Sequence, residues 1–258
     1  MTGVYQPLNS YRHLCSRRQM LLWIGAMTGS LIGCRRRRSQ PTVRFGSASS
    51  ASIAYAAALP SCVVRPEQTE GPYFVDEKLN RADIRTDPTD GSVRPGVPLR
   101  LQFNVSRIAG GNCEVLSGAI VDVWHCDASG VYSDVRDSRF DSRGKKFLRG
   151  YQVTDATGIA HFDTIYPGWY EGRAVHIHFK IRADSRSARA REFTSQLYFD
   201  EAVTDRVHRE PPYSHRGRRT TMNEGDFAYR RGGKQLIPTL TKDPQGYRAR
   251  FDIGLLAE

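Results

Sequence analysis

The chain has 258 residues, 39% hydrophobic and 25% charged, enough to bury a sizeable core in one large domain or two small ones. Its formal charge of +11 would suit a nucleic-acid partner, but residues 1–60 hold eight arginines and no Asp, Glu or Lys. The remaining residues carry 30 basic against 27 acidic side chains, so the basic character belongs to the leader and nucleic-acid binding is set aside.

From the N-terminus, Ser16-Arg17-Arg18-Gln19-Met20-Leu21-Leu22 opens an apolar run that reaches Gly33. A charged region before an apolar core of this length predicts an export signal rather than a membrane span. The paired arginines look like a twin-arginine signal. Leu31-Ile32-Gly33-Cys34 resembles a bacterial lipobox, which implies membrane attachment through a lipidated Cys34. An exported protein, periplasmic or membrane-anchored, is expected. Arg35 to Arg38 hinder translocation at that point and leave a cytoplasmic, membrane-anchored form open. Residues 39–60, rich in Ser and Ala, read as a tether, so the fold is expected in residues 61–258.

In the body, Leu99, Leu101, Phe103 and Val105 alternate with polar residues and predict a half-buried strand. Ala119 to His125 predicts a second. Phe147 to Thr154 and Ile159 to Thr164 predict two more, joined by the hairpin-like turn Asp155-Ala156-Thr157-Gly158. Tyr166-Pro167-Gly168-Trp169-Tyr170 is a tight turn into the stretch around which the chain is organised, Arg173 to Ile181. There Val175, Ile177, Phe179 and Ile181 fall on one strand face and His176, His178 and Lys180 on the other. Two histidines at i and i+2 project from one face about 7 Å apart along the strand, near enough to aim at one metal ion. Phe193 to Phe199 and Tyr247 to Ile253 complete the strands. With no convincing amphipathic helix after residue 60, the expectation is an all-β antiparallel sandwich with long covering loops, those of residues 202–246 packed over one end.

Around the His-x-His strand stand Tyr132, closing Trp124-His125-Cys126-Asp127-Ala128-Ser129-Gly130-Val131-Tyr132, and Tyr170, Arg173 and Gln196. Together these features resemble the intradiol ring-cleavage dioxygenases, the superfamily of protocatechuate 3,4-dioxygenase and catechol 1,2-dioxygenase. The resemblance rests on Glu70-Gly71-Pro72-Tyr73, VDVWHCDASGVYSD at 121–134, RGYQVTDATG at 149–158, TIYPGWY at 164–170 and RAVHIHFKI at 173–181. It implies a non-haem Fe(III) held by Tyr132, Tyr170, His176 and His178. Phenolate is a hard anionic donor suited to the ferric state, and imidazole keeps the site partly neutral.

The resemblance further implies that a catechol is cleaved by O2 to a cis,cis-muconate-type product. Tyr170 would serve as both ligand and base, and Arg173 would stabilise charge building on the ring. Gln196 matches a catalytic-site glutamine, and Gly71 and Pro72 match a segment lining the substrate pocket. The protocatechuate-type core is the nearer relative, since there is no room for a helical N-terminal dimerisation domain. A homo-oligomer stays open.

Two other readings remain. One is a Zn or Cu site on His176 and His178 with His125 or His161. The other is an exported β-sandwich binding module without catalysis. Of the cysteines in the body, Cys62, Cys113 and Cys126, the candidate disulfide pair is Cys113 with Cys126, with free buried thiols as the alternative.

Overall fold

Two sheets face each other across one apolar core in the computed structural model, which describes residues 63–182 and 192–256. The expected export signal with Cys34, the expected tether and Cys62 lie outside the described residues. The first sheet holds β1 (Pro98–Ala109), β2 (Asn112–Val115), β5 (Ile159–Ile165), β8 (Thr239–Lys242) and β9 (Tyr247–Leu256). The second runs in the order β4 (Arg149–Val153), β3 (Ile120–Trp124), β6 (His176–Arg182), β7 (Glu192–Tyr198). Alternation explains the packing: Leu99, Leu101, Phe103 and Val105 of β1 face Val121 and Val123 of β3 and Ile177, Phe179 and Ile181 of β6 in one buried cluster. Phe103 sits at its centre, against Phe162, Phe179 and Phe251 at 5.1–6.2 Å between ring centres.

The architecture is the expected all-β sandwich, with four local differences. β1 and β9 pair in parallel, Phe103 opposite Phe251, while the other strand pairs are antiparallel. β4 and β5 are not a hairpin: β4 pairs with β3 and β5 with β1, so the Asp155–Gly158 turn carries the chain from one sheet to the other. The Asp155 carboxylate accepts from the N–H groups of Thr157 and Ile159, and the Gly158 carbonyl oxygen accepts from the N–H of Val105 on β1, which closes the turn and ties it to the first sheet.

Residues 202–246 hold a helix, α1 (Glu201–His208), with short 3-10 turns and β8. Asp200 caps α1 by accepting from the N–H groups of Ala202 and Val203. At eight residues with two valines, the helix is too short to show an amphipathic period. Cys113 is disulfide-bonded, but not to Cys126, a free buried thiol; the two lie on different sheets, Cys113 on β2 and Cys126 just past β3.

Candidate active site

The candidate site lies on the outer face of the second sheet. There Tyr73, Trp124, Cys126, Tyr132 and Tyr170 form a second buried cluster, separate from the inter-sheet core. Both faces of β6 are therefore buried. Val175, Ile177 and Phe179 point into the sandwich, and His176 and His178 point the other way beneath a cover of loops.

One part of that cover is the segment 66–74, laid along β7. The N–H of Gln68 donates to Thr194 O at 2.9 Å, Ser195 Oγ to Pro66 O at 2.8 Å, and Gln196 Nε2 to Thr69 O at 2.8 Å. Gly71, at φ +74°, then passes over His178 so closely that a Cβ there would lie 3.2 Å from Cε1 of the imidazole. Pro72 follows on the exposed side of the turn. Tyr73 stacks on Tyr132 at 4.5 Å and donates its hydroxyl to Asp137.

The two tyrosines are brought together by interlocking turns. Asp127 Oδ1 accepts from the N–H groups of Ser129 and Val131 and so shapes the turn that delivers Tyr132. Gly130 in that turn, at φ +80°, lies against the carbonyl of Trp169, where any side chain would collide. Arg216 holds the same carbonyl through Nε at 2.8 Å, fixing the turn that delivers Tyr170.

The four expected ligands converge. His176 Nε2 lies 3.0 Å from His178 Nε2 and 3.4 Å from each of the Tyr132 and Tyr170 hydroxyl oxygens. His176 Nδ1 donates to Ala174 O at 2.6 Å, so its Nε2 carries the lone pair. His178 is held flat against Trp124, with ring centres 5.0 Å apart and planes 6° from parallel. Burial pushes both imidazoles below their usual range, helped by Arg173 for His176 and by His176 for His178. Burial likewise pushes both phenols up. The protein alone thus presents four uncharged donors around one point.

The residues present fit a metal ion. Two donors about 2.1 Å from a common metal and 90–110° apart lie about 3.0–3.4 Å from each other, which is the spacing found here. Two phenols among the four donors favour a hard trivalent ion such as Fe(III). The histidines of the Zn or Cu reading are not brought in. His125 is tied to Cys126 O and Thr164 Oγ1 at 2.8 and 2.7 Å, and His161 is exposed on β5 in the other sheet. Among the described residues no three His, Cys, Asp or Glu side chains gather as a metal site.

Arg173 reaches the same centre. Its Nη1 is 3.4 Å from the Tyr170 hydroxyl, and its Nη2 donates to Gln196 Oε1 at 2.5 Å. Gln196 Oε1 also accepts from Tyr198, whose hydroxyl lies 2.8 Å from Gln68 Oε1. A partner the sequence did not disclose completes the group: Asp226, fully buried, accepts from Arg173 Nε at 2.8 Å. It lies 53 residues away in the stretch without periodicity, and a lone Asp before an aromatic carries no pattern of its own. Tyr73 and Trp124 lie inside the quoted stretches but, like Tyr198, suggest no role of their own, since an aromatic on a strand or turn reads first as core.

A family model described as Dioxygenase matches residues 69–210, more than half of the chain. The chain is 29% identical over 150 residues to chlorocatechol 1,2-dioxygenase of Pseudomonas putida, covering 51% of this chain and 52% of that protein. It is 28% identical over 158 residues to catechol 1,2-dioxygenase 1 of Acinetobacter lwoffii, covering 51% and 45%. The chain spans about half the length of the curated relatives it matches.

Among solved structures it resembles an intradiol ring-cleavage dioxygenase from Tetranychus urticae, with a TM-score of 0.63 and 30% identity over 76% of this chain and 94% of that one. It also resembles the dioxygenase domain of a dioxygenase carbohydrate-binding protein fusion from Streptomyces sp. SirexAA-E, with a TM-score of 0.53 and 28% identity over 76% and 100%. The match reaches from the Gly71 turn through both tyrosines and the His-x-His strand, and the chain belongs to the intradiol ring-cleavage dioxygenase family.

Proposed function

We propose that this protein is an Fe(III)-dependent dioxygenase that cleaves a catechol-type diol between its two hydroxyl-bearing carbons. Both atoms of O2 enter the product, a cis,cis-muconate-type dicarboxylic acid. The observation that carries the reading is the convergence of His176, His178, Tyr132 and Tyr170 within 3.0–3.4 Å of one nitrogen. These four residues would hold the iron, which supplies Lewis acidity and makes the bound diol reactive toward O2.

The residues divide the remaining work by their exposure. Tyr132 is 1% exposed and locked under Tyr73, so it serves as a fixed ligand. Tyr170 is 8% exposed and has Arg173 at its oxygen, so it would be the ligand that takes a phenolic proton of the incoming diol at Oη. Arg173 remains charged. Its burial acts against the charge but is outweighed by Tyr170 and Asp226, which hold the guanidinium above its usual range. It is a fixed cation where negative charge builds on the ring. Gln196 holds the guanidinium from the far side, and Gly71 leaves room for the His178 imidazole.

The leader is proposed to carry this catalytic domain out of the cytoplasm, with Cys34 as the anchoring residue when lipidated. The test of the function is iron stoichiometry with oxygen uptake. Protein reconstituted with Fe(III) should bind one iron per chain, take on a tyrosinate charge-transfer colour, and consume O2 with catechol. A colourless protein with no bound iron would overturn the assignment in favour of a binding module.

A further inference from the structure

Asp226 has a richer set of partners than an ordinary buried carboxylate. Oδ2 accepts from Arg173 Nε and from the N–H of Ala174, both at 2.8 Å. Oδ1 accepts from the N–H of Ala228 at 2.7 Å and of Tyr229 at 3.1 Å. One fully buried side chain thus ties the covering loop after α1 to the start of β6, two residues before His176. Each oxygen has two donors, and no polar atom of the group lacks a partner.

That geometry constrains the guanidinium in three directions. Nε faces Asp226, Nη2 faces Gln196 and Nη1 is left facing the Tyr170 hydroxyl. The ring of Phe227, next in the chain to Asp226, lies 5.0 Å from the guanidinium carbon. A flexible arginine would otherwise sample many rotamers, and holding it in one carries an entropic cost. Here the two anchors leave a single free edge, directed at the proposed reaction centre.

We infer that Asp226 is a positioning residue: it orients Arg173 so that one edge of the guanidinium faces Tyr170 and the substrate. This rests on the function proposed above, and it adds to that function a residue from outside the family motifs quoted from the sequence. The carboxylate does not touch substrate or ligands itself; its effect passes through Arg173. Phe227 rides on the same loop, so Asp226 also sets how that aromatic wall covers Arg173.

The discriminating variant is Asp226→Asn. The amide keeps the size but can satisfy only one of the two donor pairs, since its NH2 group meets N–H donors on the other side. Turnover is expected to fall about 10- to 100-fold with KM changed less than threefold and iron content unchanged. In an Arg173→Ala background the same substitution is expected to change turnover by less than twofold, because the group it positions is gone. Unfolding provides the readout independent of activity. The Arg173→Ala/Asp226→Asn double variant is expected to lose less melting temperature than the two single losses added together.

Additive effects on both turnover and melting temperature would show Asp226 to be an independent structural residue and overturn the inference. Were Asp226→Asn not to fold, Asp226→Glu would replace it. That variant keeps the charge but displaces the guanidinium by one methylene, and the same non-additivity is expected. If the wild type binds iron yet cleaves no catechol, the proposed function fails while the unfolding cycle still decides the Asp226–Arg173 coupling.

Discussion

Gly71→Ala tests whether the segment over His178 shapes the metal site or merely covers it. Two costs follow from the geometry. At φ +74° an L-residue is strained by about 1–2 kcal/mol whatever surrounds it. In addition the new methyl would sit 3.2 Å from His178 Cε1 and 3.7 Å from Nε2, closer to Cε1 than ordinary van der Waals contact allows. The imidazole cannot retreat freely, because Trp124 is stacked on it at 5.0 Å. The ring must therefore tilt by a few tenths of an ångström at its coordinating edge. Losses of support to a ligand of this kind typically lower metal affinity 10- to 100-fold.

Gly91→Ala is the matched control. Its φ of +73° is nearly the same, but nothing lies within 4 Å of its Cβ position. Urea unfolding should show Gly91→Ala destabilised by about 1–2 kcal/mol from the backbone strain and Gly71→Ala by at least as much. Chelator competition followed by the visible absorption should show at least a tenfold loss of iron affinity for Gly71→Ala and less than a twofold loss for Gly91→Ala. Equal iron affinity in the two variants would refute the claim that the 71–74 turn positions His178.

Other substitutions probe the rest of the account. His176→Ala and His178→Ala should each abolish iron retention and colour; full colour in either would remove that residue from the ligand set. Arg173→Ala should retain iron and still change colour on binding a catechol, while turnover falls about a hundredfold or more, the scale for one preorganised charge-stabilising donor; a loss under threefold would remove it from the catalytic set. His208 is buried, which lowers it from 6.5 to about 4 despite its bond to Pro167 O. A folded pKa below the unfolded one gives stability that is present above about pH 6.5 and lost as pH falls toward 4, about 3 kcal/mol in all. His208→Phe, which keeps the ring stacked on Tyr213, should flatten the pH dependence of unfolding by that amount; an unchanged slope would place the acid sensitivity elsewhere. A chain starting at Ser61 should fold and bind iron like the full protein, and insolubility of that chain alone would move the domain boundary.

What the sequence disclosed and what it hid have physical causes. Strands with one face in the core, such as Leu99 to Val105 and Val175 to Ile181, announce themselves by period two, and the shared outer face of His176 and His178 on β6 followed from the same alternation. The partner of each strand is not written in its period. Asp155 to Gly158 satisfies the turn chemistry of a hairpin, yet the flanking strands enter different sheets, and only the pairing with β1 and β3 settles which. The parallel β1–β9 pair joins segments more than a hundred residues apart for the same reason. Asp226 was hidden more thoroughly. Ala228 and Tyr229 of its own loop make an ordinary turn with it, whereas the partners that give it its place, Arg173 and Ala174 just before β6, lie 53 and 52 residues away and leave no local pattern.

The most direct measurement of the central claim is the product formed from catechol under ¹⁸O-labelled oxygen by the Fe(III)-loaded protein. The account predicts one O2 consumed per catechol and an open-chain muconate-type diacid carrying the label from O2. A ring-opened aldehyde would place the cleavage outside the two hydroxyl-bearing carbons, and no oxygen uptake by iron-replete protein would leave a metal-binding sandwich without this chemistry. Either result would contradict the account.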